Sequence, residues 1–155
     1  MEAGKDWEFF IAGPSTDREV EKSLKEAEKE GLNIRSLGAV YDAEKAEFFQ
    51  SIDGFLFPTT YRNETWGIVV SEALAYGLPS FVSDMPGPRD QVLPDFVWSD
   101  KGGFFQFLER HVQRFEKDPK LLEQTRYTIR ARFQSDHQHS LDQLDRIVKS
   151  LNETT

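Results

Sequence analysis

Glu64 and Glu72 stand eight positions apart in the segment Glu64-Thr65-Trp66-Gly67-Ile68-Val69-Val70-Ser71-Glu72-Ala73-Leu74-Ala75-Tyr76-Gly77-Leu78-Pro79, where most other side chains are apolar or small. From Trp66 to Tyr76 the pattern is apolar almost all the way round, which predicts a helix buried between a sheet and other helices. An ionised Glu in such a place needs a partner or a ligand, because desolvating an unpaired charge is costly. Helical side chains lean toward the N-terminus, so Glu72, in about the second turn, is aimed back at Trp66 and Gly67. The free amides of that helix end, with roughly half a positive charge, suit a phosphate, and Gly67 lets it come close. A carboxylate would repel phosphate but accepts two hydrogen bonds from a ribose diol. Together these residues point to a nucleoside diphosphate with its sugar over Glu72. The plain alternative is that one Glu answers the helix dipole and the other sits in an ion pair.

Other candidates carry less. Arg62 and Arg89 flank the same segment and could touch phosphate, although loop arginines are mostly solvated. His137-Gln138-His139 has the look of a metal pair, but no third ligand is in view, so it reads as two solvated histidines and no metal site is expected. The Glu/Lys run from Glu19 to Glu30 reads as a solvated helix face, and the Phe-rich stripe from Phe104 to Phe115 as core.

The elements that must position the two glutamates alternate between strand and helix. Trp7 to Ala12 is a short aromatic run that stops at Gly13-Pro14 and predicts a buried strand. Thr16-Asp17-Arg18-Glu19 has the spacing of a capping box before a helix carrying Val20, Leu24 and Ala27 and ending at Gly31. Asn33 to Leu37 predicts a second strand ending at Gly38, and Asp42 can cap a helix with Ala46, Phe48 and Phe49. Ile52 to Phe57 is a third strand closed by Pro58; the Trp66–Tyr76 helix follows, ended by Gly77 and Pro79; Ser80 to Ser83 is the fourth strand. Strands apolar on both faces that alternate with helices imply a parallel sheet covered on both sides, hence the α/β class. From about Lys101 the pattern is helical. It shows one face of Phe104, Phe105, Leu108, Val112 and Phe115, a second of Leu122, Thr125, Ile129 and Phe133, a polar hinge around Gln134 to Ser140, and a last face of Leu141, Leu144, Ile147, Val148 and Leu151. The expectation is one domain over residues 1–155, with an α/β core at 1–100 and a helical extension at 101–155.

Composition narrows the class. The chain has 155 residues, 19 basic and 27 acidic, a net charge of −8 and 38 % hydrophobic residues, which is enough apolar bulk for one sizeable core. With a pI near 4.9 and no long Lys/Arg cluster, nucleic acid is an unfitting partner. There is no cysteine, which removes thiolate metal sites, disulfides and Cys nucleophiles and agrees with a cytoplasmic setting. No run reaches the roughly 20 apolar residues of a membrane helix, and Met1 to Asp6 lacks the apolar stretch of a secretory signal.

In order along the chain, several features resemble the donor-binding, C-terminal half of the retaining nucleotide-sugar glycosyltransferases of the GT-B fold, the glycosyl transferases group 1. They are Trp7 to Gly13, Leu37-Gly38, Asp53 to Pro58, the Glu-x7-Glu pair Glu64 and Glu72, Gly77-Leu78-Pro79 and Asp84-Met85-Pro86-Gly87-Pro88. The likeness is dense over residues 7–92 and thin beyond, although Phe133 to Leu151 is similar to the family's closing helix. It implies a Rossmann-like three-layer domain and transfer of a sugar from a nucleoside diphosphate sugar to an acceptor hydroxyl with retention, without a bound metal. Glu64 would contact the donor sugar near the reacting carbon, as the catalytic residue. The amides of Trp66, Gly67, Ile68 and Val69 would face the pyrophosphate, and Glu72 would hold the ribose. Gly38, Val40 and Tyr41 would lie along the nucleobase. An Arg and a Lys that grip the diphosphate in the family lie on and just after a strand preceding the Trp7 strand, and this chain begins after that point. The resemblance therefore implies an acceptor-binding half supplied in cis or in trans, and little turnover by the 155 residues alone. The alternatives are a degenerate donor domain that only binds nucleotide or a partner, and a sugar-phosphate epimerase of the same fold, which would need a cleft histidine that residues 1–110 do not offer.

Overall fold

Strand β1 (Phe9–Ala12) pairs in parallel with β2 (Ile34–Gly38), Phe9 opposite Ile34 and Ala12 opposite Gly38, and between them runs helix α1 (Arg18–Lys29). The computed structural model describes residues 7–15, 17–99 and 103–152, and the chain divides into two units, residues 1–48 and 49–155. In the first unit α1 is capped by Asp17, whose carboxylate accepts the Glu19 N–H at 2.8 Å. The capping role given to Thr16, like the reading of Met1 to Asp6, lies outside the described residues. Gly31 closes the helix at φ +75°, a conformation glycine adopts without strain.

The predicted buried β1 is a correction: Ile11 is 40 % exposed. Among the described residues the sheet of this unit has two strands, and neither contains a fully buried residue. Val20 of the expected α1 stripe is exposed as well. Helix α2 (Asp42–Ser51) includes Asp42 itself, at φ +47°, rather than using it as an external cap.

The second unit holds the parallel sheet β3 (Phe55–Phe57), β4 (Ser80–Ser83) and β5 (Val97–Trp98), in that spatial order. Pro79 accepts the Phe55 N–H at 2.9 Å, and Trp98 accepts the Asp84 N–H at 2.9 Å. β4 is the central strand and wholly buried, as its apolar run predicts. Phe81 stands edge-on to Phe96 and Phe107 at 5.2 and 5.9 Å, which fastens the sheet to helix α5 (Phe104–Lys117). Val70, Ala73 and Leu74 of helix α3 (Ile68–Ala75) are buried, as is Ile129 of helix α6 (Pro119–Asn152), against which α3 packs. A short helix α4 (Pro88–Gln91) and a 3-10 turn (Pro94–Phe96) complete the unit.

Three expectations are corrected here. The helix that reads as buried all round is not: Ile68 is 72 % exposed. Phe105 lies outside the α5 core and Phe107 takes its place, while Phe104, Leu108, Val112 and Phe115 of the stripe read off the sequence stay buried or half-buried. The polar hinge around Gln134 to Ser140 is absent, since α6 runs unbroken through it. Nothing in that stretch is a Gly or Pro, so polarity alone does not interrupt the helix. Parallel strands flanked by helices, with a long C-terminal helix, give the Rossmann-like α/β architecture the alternation predicted.

Candidate functional site

Ligands of open parallel sheets bind beyond the carboxyl ends of the strands, and in the second unit that edge is built by the loops leaving β3 and β4. After Phe57 the chain turns at Tyr61 to Glu64, where the Glu64 N–H reaches the Tyr61 carbonyl at 3.0 Å. The Glu64 carboxylate then accepts the Gly67 N–H through Oε1 at 2.9 Å. A negative group is thereby held at the positive end of α3. Gly67 has φ +72° and ψ +62°, and α3 starts behind it with no side-chain cap. A Cβ at Gly67 would come 3.1 Å from Pro88 Cγ and 3.3 Å from Phe57, so the residue type is set by backbone angle and space together.

The loop after β4 clamps this segment from the other side. Gly87 packs so closely that a Cβ there would lie 2.2 Å from the Thr65 carbonyl oxygen. Its N–H is 3.3 Å from Asp90 Oδ2. Gln91 donates to the Trp66 carbonyl and accepts from the Ser71 hydroxyl, and the Trp66 indole N–H donates to Ser71 Oγ at 3.1 Å. At its other end α3 is held by α6: Arg130 donates to the Tyr76 carbonyl at 2.9 Å, and Gly77 is pressed against the Arg126 carbonyl. Gln91 and Ser71 were invisible as positioning groups in the sequence, because neither lies in a motif and they meet only through the α3–α4 packing. The rigid Asp84 to Pro88 turn was the one available signal.

The predicted site residues fall into two groups. Glu64, Trp66, Gly67, Ile68 and Val69 stand at the start of α3 in the second unit, and Glu72 lies within that helix. The Gly67 amide already serves Glu64, which leaves the amides of Ile68 and Val69 at the helix entrance. Glu72 is half-buried one turn beyond Ile68, on the side of α3 away from Val70, Ala73 and Leu74. Gly38, Val40 and Tyr41 belong to the first unit: Gly38 ends β2 at φ +67° and accepts the Gly13 N–H at 2.7 Å, and Tyr41 is exposed.

Arg89 is not free for phosphate. It is hydrogen-bonded to Asp84 at 2.8 Å and lies 3.4 Å from Asp90, and these bonds, chiefly the one to Asp84, raise its already high pKa. Arg62 is exposed. His137 and His139 lie on α6 rather than in a hinge; His137 stacks parallel to Phe133 at 6.2 Å, and His139 is 2.9 Å from Gln143. Among the described residues no three His, Cys, Asp or Glu side chains cluster as a metal site requires.

The arrangement sets a helix start, whose Ile68 and Val69 amides have no side-chain cap, at a strand's carboxyl end with the Glu64 carboxylate held beside it. Comparison with known proteins gives this geometry its context. The family model for glycosyl transferases group 1 matches residues 1–132. The chain belongs to that family. It is similar to an alpha-monoglucosyldiacylglycerol synthase of Acholeplasma laidlawii, 33 % identical over 118 residues, which are 74 % of this chain and 28 % of that protein. It is also similar to a GDP-mannose-dependent alpha-mannosyltransferase of Mycobacterium tuberculosis, 46 % identical over 57 residues, 37 % of this chain and 15 % of that one. This glycosyltransferase-family chain thus spans under a third of the length of either relative. Among solved structures its fold is that of the catalytic domain of a cholesterol-alpha-glucosyltransferase from Helicobacter pylori, with a TM-score of 0.63 at 13 % identity, covering 81 % of this chain and 78 % of that one. A sucrose-phosphate synthase from Thermosynechococcus elongatus gives a TM-score of 0.71 at 19 % identity, over 94 % of this chain and 39 % of that one.

Proposed function

We propose that the chain is the donor-binding part of a retaining glycosyltransferase that moves a sugar from a nucleoside diphosphate sugar to an acceptor hydroxyl. The observation that carries the reading is the Glu64 carboxylate bonded to the Gly67 amide at the mouth of an otherwise uncapped helix. The amides of Ile68 and Val69 receive the pyrophosphate, and Glu72 takes the ribose hydroxyls. Glu64, fixed by its bond to Gly67, presents its second carboxylate oxygen to the donor sugar beside the reacting carbon. The transition state of glycosyl transfer carries positive charge on the sugar ring and negative charge on the departing diphosphate. Glu64 favours the first and the helix end favours the second, with no step assigned to a metal ion.

The remainder of the active site comes from protein beyond these 155 residues, in cis or in trans. Two features support that division. The chain matches under a third of each relative's length, and the distal part of α6 carries an exposed apolar stripe of Leu141, Leu144, Ile147, Val148 and Leu151. The isolated chain is accordingly expected to bind nucleotide weakly and to turn over little. Calorimetric titration of UDP, GDP and ADP into the wild type and Glu72→Ala tests the assignment. At least one diphosphate should bind saturably and about tenfold more weakly to the variant, the loss of a hydrogen bond to a charged group. Silence toward all three would replace this reading with a degenerate interaction domain.

A further inference from the structure

A second basin in the same unit lies away from the glutamates. Asp95, in the turn that leads into the amino end of β5, faces Phe107, Arg110, His111 and Arg114 of α5 across a depression of about 320 Å³. Because the candidate donor site occupies the carboxyl edge of the same parallel sheet, this depression stands at the opposite end of the strands.

Its electrostatics run against those of the molecule. The chain carries −8 overall, yet two guanidinium groups meet here one helical turn apart. Among the described residues neither has an ion-pair partner within 4.0 Å, Asp95 included. Like charges at i and i+4 cost a helix stability. Arg114 is in the last turn and answers the helix dipole; Arg110, a turn earlier, has no such reason. Between them His111 is packed on Phe81, Phe96 and Phe107 with ring centroids 4.9 to 5.4 Å away. Burial first, then Arg114, push its pKa down, and the ring is hydrogen-bonded to the Asp95 backbone across the basin. The larger groove beside Trp66, of about 430 Å³, offers less: its Arg132 is already bonded to the Val92 carbonyl and lies 3.6 Å from Asp136.

We propose that Arg110 and Arg114, with His111 between them, form a phosphate-binding site distinct from the donor site, taking either a soluble phosphate ester or the phosphate of a lipid headgroup. Planar guanidinium forks match phosphate oxygens in pairs. Two forks on one helix face can close on one phosphoryl group, the aromatic floor of Phe107 lowering the local dielectric beneath it. The single Asp95 carboxylate leaves the basin net positive.

The test uses the whole 155-residue chain, nitrogen-15 labelled and titrated with inorganic phosphate against chloride at constant ionic strength. Saturable shifts are expected at the amides of Phe107 to Arg114. They should weaken at least about tenfold in Arg110→Gln/Arg114→Gln, recover in part in the double Lys variant, and persist in Glu72→Ala, which separates this site from the donor reading. Single Gln variants give the same comparison if the double variant fails to fold. Sedimentation with phosphatidylglycerol and phosphatidylcholine vesicles identifies the source. Arginine-dependent binding to the anionic vesicles, reversed by phosphate, marks a headgroup; phosphate binding without vesicle binding marks a soluble ester. Absence of both, or phosphate shifts that survive the loss of both arginines, would overturn the proposal.

Discussion

Replacing Gly87 by Ala tests how tightly the β4 loop holds the entrance of α3. Gly87 sits at φ +85° and ψ −74°, a strained turn conformation for a residue with a side chain. The new Cβ would lie 2.2 Å from the Thr65 oxygen and 2.9 Å from both the Thr65 carbonyl carbon and Trp66 Cα, where even the tightest real contacts stay near 3.0 Å. The obstructing atoms are all backbone, so no rotamer change relieves them and the two loops must separate by about 0.8 Å. Positive φ costs roughly 1–2 kcal/mol and an unrelieved overpacked contact roughly 1–3, together about 3 kcal/mol. With a urea dependence of about 2 kcal/mol/M, the unfolding midpoint should fall by about 1.5 M. Gly77→Ala and Gly67→Ala supply the internal scale. Their φ values, +74° and +72°, impose a similar backbone cost. Gly77 would press the Arg126 carbonyl at 2.8 Å, while Gly67 would meet side-chain carbons at 3.1 Å or beyond. The expected order of damage is therefore Gly87, Gly77, Gly67. Equilibrium urea unfolding followed by tryptophan fluorescence reads it, since Trp66 borders the clash. A Gly87→Ala midpoint within about 0.3 M of the wild type, or an order with Gly67 worst, would refute the account of a backbone clamp.

Ile129→Ala should cost about 2–5 kcal/mol, because Ile129 is 4 % exposed where α6 packs on α3; urea unfolding measures it. His111 adds a pH dependence of definite sign. Its folded pKa lies below the ordinary histidine value of 6.5, so the unfolded chain takes up the proton first and stability falls as pH drops through 6.5, with no contribution above about pH 7.5. Unfolding midpoints at pH 8 and pH 5 should show a drop that is smaller in His111→Gln. Ending the chain after Ser140 should remove helical circular dichroism while leaving the unfolding free energy from urea titration within about 0.5 kcal/mol of the wild type, since residues 141–152 are exposed throughout.

The α/β class, β4, the Gly77 end of α3 and the start of that helix just after Glu64 were legible in the sequence, because each follows from local rules. A short apolar run bounded by breakers makes a buried strand, and Gly ends a helix. The family pattern over residues 7–92 added roles that spacing alone left open. What the sequence obscured was pairwise. The buried stripe of α5 was misread at Phe105 because Phe104, Phe105 and Phe107 are equally apolar, and contact with Phe81 selects Phe107. The hinge at Gln134 to Ser140 was inferred from polarity, which a helix with a solvent face tolerates. Gln91 and Gly87 act on the Glu64–Gly67 segment from more than twenty residues away, Gln91 also through Ser71, so nothing in the chain order announces them. One-dimensional pattern fixes which element forms; which face it buries, and which polar atoms meet across elements, depends on three-dimensional packing.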